Sequence, residues 1–221
     1  MFVYILTFSP FLSAVDLPKR LSSSSSSSRS QPEIALKIKK THNMTIHMQD
    51  GSEQLLSDYV SLRNVRDSLT EVRYQDNPFG DPDFNPPVKP FPGLPLPTLS
   101  PTAWLDLSDA ERLQQNVGAF SSLPEYLAAV KHQQIKMNLE ATELHHQLDT
   151  SGLQCLGLVN NLKAIMASMG IVPGPVTPAE PPGIEAIFVM KLTGYSICCL
   201  YRDWVKRCQK DMALLAAKYP A

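Results

Sequence analysis

Net charge is almost absent from this sequence. Its 20 lysines and arginines are balanced by 21 aspartates and glutamates, which leaves a formal charge of -1 at pH 7. Nucleic-acid-binding proteins neutralise phosphates with an excess of basic side chains, so we expect no nucleic-acid partner. Hydrophobic residues make up 43% of the 221 positions, which is enough for one sizeable core. A single globular domain is therefore expected.

Catalytic signatures are also missing. The sequence contains no Gly-x-Ser-x-Gly nucleophile elbow, no Walker A phosphate loop and no Gly-rich dinucleotide fingerprint. Each of these motifs places a reactive or phosphate-binding group on a defined turn, and nothing in the chain replaces them. We therefore expect that the protein is not an enzyme, with no catalytic residue and no cofactor.

The histidines and cysteines lack the spacing of metal ligands. The Glu-x-x-His pattern of a di-iron bundle occurs once, in residues 143–146, whereas such a site needs a second copy on another helix. No cysteine pair has the Cys-x(2–4)-Cys spacing of a zinc site. We expect no metal, His145 and His146 as solvated surface residues, and small apolar core roles for the four cysteines, Cys155, Cys198, Cys199 and Cys208.

An apolar run at residues 2–12 is too short to cross a bilayer as a helix but has the length of a signal-peptide core. We predict a signal peptide at 1–15 and secretion to the extracellular space. No Lys or Arg precedes the run, so leaderless export or a mis-assigned start codon stays an alternative. The serine tract that follows predicts a flexible linker at 16–33. Asn43 begins the sequon Asn-Met-Thr and is a candidate N-glycosylation site.

Apolar residues recur every three to four positions in four long segments, which predicts an all-α protein. The third stripe alternates steps of four and three as the seam of a helical bundle does. Pro124 predicts a kink in the second helix. Together they predict a four-helix bundle over residues 34–221, with helices near 34–72, 104–130, 141–169 and 184–219.

The lengths of the connections predict the topology. The first and third connections are long and proline-rich, and the second is short. The third predicted helix spans about 45 Å, and residues 171–183 reach about 43 Å when extended. This connection can therefore run the length of the bundle, as an up-up-down-down arrangement requires. A simple up-down bundle with loose loops is the alternative.

That topology also predicts the state of the thiols. In an up-up-down-down bundle the third and fourth helices lie diagonally, with axes about 13 Å apart when neighbours are 8 to 10 Å apart. Subtracting two Cα radii of about 2.3 Å leaves Cys155 and Cys198 at least about 8 Å apart. That exceeds the limit of about 7 Å for a disulfide. We predict four unbridged cysteines.

Four stretches of the sequence carry motifs of a known family. WLDLSDAERLQQNVGAF, at residues 104–120, has a Trp followed by an acidic A-E-R-L pattern and resembles the ciliary neurotrophic factor and cardiotrophin branch of the interleukin-6-type cytokines. The loop NPFGDPDFNPP at 77–87, KAIMASMGIVP at 163–173 and the closing DMALLAAKYPA at 211–221 are similar to it as well. The resemblance implies a long-chain four-helix cytokine bundle with two long crossover loops.

Within this family, members that use the leukaemia inhibitory factor receptor carry a Phe-x-x-Lys pair at the start of the last helix. Phe188 and Lys191 match that pair, so the resemblance implies that they bind this receptor. Residues three apart share a helix face, so an aromatic ring and a cation here form one compact contact. The alternative is that Phe188 belongs to the core and Lys191 is a solvated charge.

Trp104 and Arg207 match two further family positions, on the surface that faces the non-signalling alpha receptor. Trp and Arg are enriched at binding hot spots. The alternatives are that Trp104 is a core plug at the start of the second helix and that Arg207 is a solvated charge. The first and third helices would face the shared glycoprotein 130 signal transducer, but no motif there identifies residues.

The predicted function is that of a secreted, monomeric cytokine. It would assemble ciliary neurotrophic factor receptor alpha, the leukaemia inhibitory factor receptor and glycoprotein 130, and trigger JAK/STAT signalling without inserting into a membrane. An exchangeable lipid-binding helical bundle is the alternative function, and liposome flotation separates the two. Residues 64–75 depart from the family pattern as an insertion, which either lengthens the first helix or reflects a gene-model error.

Overall fold

The computed structural model describes residues 27–67, 90–184 and 186–220, and within α1 the side chains of residues 31–61. The predicted signal peptide, the 77–87 loop motif and most of residues 64–75 lie outside these ranges. Four long helices confirm the all-α prediction, and a short fifth helix precedes the second of them. The helices are α1 (Ser27–Asp67), α2 (Pro101–Leu105), α3 (Asp109–Met137), α4 (Thr142–Ser168) and α5 (Ile187–Lys218).

Side-chain contacts near the helix ends show that α1 runs antiparallel to both α4 and α5. Lys37, early in α1, donates from Nζ to Ser168 Oγ at the end of α4 over 2.9 Å. Tyr59, late in α1, donates its hydroxyl to the Lys191 carbonyl in the first turns of α5 over 3.1 Å. The start of α1 therefore lies beside the end of α4, and its later part beside the start of α5.

α3 has the same direction as α1. Lys218, the last residue of α5, forms an ion pair over 2.7 Å with Asp109, the first residue of α3. Lys131, late in α3, pairs with Asp149 early in α4. The main packing joins α1 to α4 and α5, and α3 to the same two helices. Each of these neighbouring pairs is thus antiparallel, which makes the bundle up-up-down-down and excludes the simple up-down alternative.

The described part of the first long connection, residues 90–100, and the connection from α4 to α5 both contact α3. In the connection from α4 to α5, the Gly174 amide donates to Gln114 Oε1 over 2.7 Å, and the Glu180 carbonyl accepts from the Tyr126 hydroxyl over 3.4 Å. The same hydroxyl donates to the Pro92 carbonyl of the other connection over 2.6 Å. The end of the first crossover, around residues 92 and 93, therefore lies beside the second crossover against α3.

The second predicted helix begins later than its apolar stripe suggested. Trp104 lies in the separate helix α2, and α3 begins at Asp109. The break arises at Ser108, whose hydroxyl accepts from the Glu111 amide over 3.2 Å, while the Glu111 carboxylate accepts from the Ser108 amide over 2.8 Å. This reciprocal capping box satisfies the first amides of α3 and fixes its start.

Pro124 lies inside α3, and the helix continues on both sides of this proline.

Two further predictions need correction. α1 begins at Ser27, so the part of the predicted linker from residue 27 onward is helical, although the placement of residues 16–26 is not described. His145 is buried, with 9% of its surface exposed, whereas His146 is exposed as predicted. The register of α4 places His145 three residues before the core residue Leu148, so it faces the bundle rather than the solvent.

All four cysteines are unbridged, as the sequence predicted. Cys155, Cys198 and Cys208 are buried in the core, and Cys199 is half-buried. Burial raises the pKa of each thiol above its ordinary value. Protonated thiols are poor nucleophiles, so the four side chains act as small apolar groups.

Alkylation should distinguish these thiols. Under native conditions we expect iodoacetamide to modify Cys199 first and slowly, because it alone is not fully buried and its thiol is held protonated. Cys155, Cys198 and Cys208 should react only after denaturation. Peptide mapping by mass spectrometry under non-reducing conditions measures both outcomes. Native labelling of Cys155, or any disulfide-linked peptide, would contradict this packing.

Candidate functional site

The start of α5 presents an exposed apolar surface. Ile187 and Phe188 keep 60% and 63% of their surface exposed, and Lys191 is half-buried one turn later. The first buried position along α5 is Gly194. Phe188 therefore lies beyond the core, and the alternative that it is a core residue is wrong. A large exposed aromatic ring next to a lysine can offer apolar contact and a charge to one partner.

A chain of hydrogen bonds joins this surface to the ends of α1 and α3. Tyr59, only 1% exposed, donates its hydroxyl to the Lys191 carbonyl and accepts from Gln134 Nε2, both over 3.1 Å. Asn138 Nδ2 in turn donates to Gln134 Oε1 over 2.8 Å. A Cβ atom at Gly194 would lie 2.1 Å from the Tyr59 hydroxyl oxygen. Glycine at this position thus allows the tyrosine to reach α5.

Trp104 is buried, with 6% of its surface exposed. Its ring meets Trp204 edge-to-face at a centroid distance of 5.9 Å, and its indole Nε1 donates to Asp211 Oδ1 over 2.8 Å. These contacts hold α2 against α5. Trp104 is therefore a core residue at the start of the second predicted helix, as the alternative interpretation proposed. Any effect of this residue on binding would be indirect, through the residues that it positions.

Arg207 lies on top of that tryptophan. Its guanidinium carbon is 4.2 Å from the Trp104 ring centroid, and its Nη2 donates to the carbonyls of Pro97 and Leu99 over 3.3 and 3.0 Å. Burial lowers the pKa of Arg207, although the negative charges of Asp211 and Asp203 oppose this shift. Arg207 is thus a positioned cation rather than a freely solvated one, and its planar group is fixed on an aromatic face.

A cleft of about 290 Å³ opens beside Arg207. Its wall combines the exposed leucines Leu105 and Leu214 with the basic residues Lys206 and Lys210. Lys206 pairs with Glu53 of α1 over 2.5 Å. Asp203 and the buried Asp211 also line the cleft. Apolar side chains beside charges of both signs can accept a partner surface that combines hydrophobic and charged groups.

A buried acidic residue supports this surface, and the motifs of the sequence did not identify it. Asp211 is 2% exposed, and its Oδ2 accepts from Asn116 Nδ2 over 2.7 Å. Arg112, 5% exposed, approaches its Oδ1 with Nε at 3.4 Å. Burial raises the pKa of Asp211, while the bonds from Trp104 and Asn116 and the charge of Arg112 lower it in part. The sequence did contain one sign of this residue: Asp211 is a charged residue in the apolar stripe of the last helix, three positions after Cys208.

The sequon is only partly on the outer face of α1. Asn43 is exposed, but Thr45 is fully buried and donates its hydroxyl to the His42 carbonyl over 2.7 Å. The threonine that a glycosyltransferase must recognise is therefore inaccessible in the folded bundle. Glycosylation of Asn43 stays a prediction, and it would have to occur before α1 packs.

Among the described residues, no cluster of three or more His, Cys, Asp or Glu side chains could hold a metal ion. None of the described helices has the length and hydropathy needed to cross a bilayer.

Comparison with known proteins identifies one family model and several cardiotrophins that are similar to this chain. A family model described as plethodontid receptivity factor PRF matches residues 24–221. Mouse cardiotrophin-1 is 33% identical over 192 residues, which cover 83% of this chain and 87% of the mouse protein. Mouse cardiotrophin-2 is 33% identical over 190 residues, 83% of this chain and 85% of its own length.

Cardiotrophin-2 of Pan troglodytes is 31% identical over 206 residues, which cover 91% of this chain and 92% of that protein. These relatives confirm the resemblance to the cardiotrophin branch. Neuropoietin is another name for cardiotrophin-2, so they include the neuropoietin-like protein to which the loop and tail motifs are similar. Mouse cardiotrophin-1 is equally similar over the same share of the chain.

Proposed function

Because the chain belongs to the cardiotrophin-like cytokines of the interleukin-6 family, we propose that it is a secreted, monomeric ligand that assembles a signalling receptor complex. Its partners would be ciliary neurotrophic factor receptor alpha, the leukaemia inhibitory factor receptor and glycoprotein 130. Bringing these chains together would activate their associated kinases and the JAK/STAT pathway. The protein itself contributes binding surfaces and performs no catalysis.

The observation that carries this proposal is the exposure of Phe188 at 63% beside Lys191. A soluble bundle gains nothing in stability from a phenylalanine outside its core, whereas a binding site gains a rigid apolar anchor. The position and residue types match the family's Phe-x-x-Lys pair. In our proposal this pair binds the leukaemia inhibitory factor receptor.

The surface around Arg207 would bind the alpha receptor. Arg207 is fixed over Trp104 and bordered by the cleft of Leu105 and Leu214, which supports a contact that mixes charge with apolar area. Trp104 contributes by holding Arg207 in place. The outer face of α1 and α4 would bind glycoprotein 130, which leaves each receptor a separate part of the bundle.

Replacing Phe188 with Ala is expected to leave the fold intact and to weaken one interaction. An exposed side chain away from packing contacts changes the free energy of unfolding by about 0.5 kcal/mol or less. Loss of a hot-spot aromatic costs about 2 kcal/mol of binding or more, roughly a thirtyfold loss of affinity. Surface plasmon resonance against each isolated receptor ectodomain, beside thermal melts, measures both quantities. Lys191→Ala should weaken the same interaction.

Leu153→Ala provides a matched control, because Leu153 on α4 is 70% exposed and lies outside the proposed contact of Phe188. Its binding to the leukaemia inhibitory factor receptor should equal that of the wild type. Binding of Phe188→Ala to the alpha receptor should also be unchanged. A collapse of the Phe188→Ala melt, or an equal loss of affinity for every receptor, would reject this assignment.

A further inference from the structure

The first turns of α5 lie outside the core and begin without a side-chain cap. No side chain caps the helix start at Ala186, the first turn has no acidic residue, and no side chain before Gly194 is buried. Helix ends without caps fray, because their first amides have no partner within the helix. Fraying would displace Phe188 and Lys191 and raise the entropic cost of binding them.

Tyr59 provides a tertiary hydrogen bond to this part of the backbone. Its hydroxyl donates to the Lys191 carbonyl over 3.1 Å, and it is oriented by Gln134 Nε2 at 3.1 Å. Gln134 is 2% exposed and is itself oriented by Asn138. Each group in this chain donates to the next, from the end of α3 through α1 to the start of α5, so all the amide and hydroxyl orientations are fixed together.

Gly194 completes the arrangement. The ideal Cβ position at residue 194 lies 2.1 Å from the tyrosine oxygen and 2.7 Å from its Cζ, so any other residue would push the ring tip away from α5. The tyrosine is also part of the hydrophobic core, with 1% of its surface exposed, and its ring tip lies against Gly194 of α5. The contact is therefore both sterically and directionally specific.

We propose that Tyr59, Gln134 and Gly194 are positioning residues for the Phe188 and Lys191 receptor site. They hold the Lys191 carbonyl, and thus the first turns of α5, in the conformation that binds. None of the three touches the partner, since all are buried. This inference rests on the proposed function of the Phe188 and Lys191 pair.

Tyr59→Phe tests the inference, because it removes the hydroxyl and keeps the ring. We expect the amides of residues 190–195 to exchange hydrogen about tenfold faster relative to the rest of the bundle. Affinity for the leukaemia inhibitory factor receptor ectodomain should fall about tenfold, with alpha-receptor affinity unchanged. Tyr201→Phe is the matched control, since Tyr201 is fully buried in α5 and its hydroxyl contacts Gln154 at 3.5 Å; it should change neither quantity.

A double-mutant cycle separates positioning from a general structural effect. In a Phe188→Ala and Lys191→Ala background, adding Tyr59→Phe should cost little further affinity, because the groups it positions are gone. Full additivity, or uniformly faster exchange over all helices, would overturn the inference. Gln134→Met removes the amide that orients the tyrosine, and it should reproduce the effect of Tyr59→Phe. It replaces Tyr59→Phe as the test if the latter variant folds poorly.

The two proposals fail differently. If Phe188→Ala binds the receptor normally, the receptor site and its positioning residues both fall. If Phe188→Ala loses affinity while Tyr59→Phe and Gln134→Met do not, the site stands and only the positioning inference is rejected.

Discussion

Replacing Asp211 with Ala is expected to lower the free energy of unfolding by about 3 to 5 kcal/mol, the cost of removing one partner from a buried ion pair. Arg112, at 5% exposure, would lose the acceptor at 3.4 Å from its Nε. Trp104 Nε1 and Asn116 Nδ2 would lose acceptors at 2.8 and 2.7 Å. Buried donors without acceptors retain their desolvation cost, so the loss exceeds that of one hydrogen bond.

Asp203→Ala is the control for this substitution. Asp203 lies two turns earlier on α5, keeps 43% of its side chain exposed and pairs with the adjacent Arg202. An exposed pair of this kind contributes about 1 kcal/mol or less. Urea denaturation of both variants gives the comparison. If Asp211→Ala were no less stable than Asp203→Ala, the buried network would not support the fold as its geometry indicates.

The second large effect is expected at Gly93, where the two crossovers meet. Gly93 has φ of +75°, and a Cβ there would lie 2.2 Å from the Pro178 carbonyl oxygen and 2.7 Å from its carbon. The left-handed conformation alone costs a residue with Cβ about 1 to 2 kcal/mol. The clash is with backbone of the other crossover, which can move only by leaving its place on α3. Gly93→Ala should therefore lose about 3 kcal/mol or more.

Gly170 offers a closely matched control. Its φ is +72°, but a Cβ there would meet nothing within 4 Å. Gly170→Ala should then show only the conformational cost, about 1 to 2 kcal/mol. The difference between the two variants in chemical denaturation isolates the contact between the crossovers. Equal losses would mean that the crossovers separate freely, and that Gly93 matters for its backbone angle alone.

The helices and their topology were predictable because they depend on local patterns. Apolar spacing located the four long helices, and the two long connections identified the order of directions. The start of α3 was misplaced because the apolar stripe runs through α2, while the helix boundary is set by the hydrogen bonds of Ser108 and Glu111. That capping signature was present in the sequence and outweighs the stripe.

The candidate site was predictable only in part, because its decisive contacts are long-range. Spacing placed Phe188 and Lys191 on one face, but whether that face lies beyond the core depends on where α1 and α3 end. The partners of Asp211 are 95 and 107 residues away along the chain, and those of Tyr59 are 75 and 132 residues away. No local pattern specifies such pairs, and the motifs therefore missed Asp211, Tyr59 and Gly194.

The four unbridged thiols bear on how this cytokine can be made. A fold that is complete without oxidative crosslinks does not depend on a disulfide isomerase or on the redox potential of the compartment in which translation ends. Three of the cysteines are protonated core side chains and the fourth is half-buried, so no step of folding requires oxidation of a thiol. We therefore expect refolding in the presence of a reducing agent to give the same yield as refolding without one.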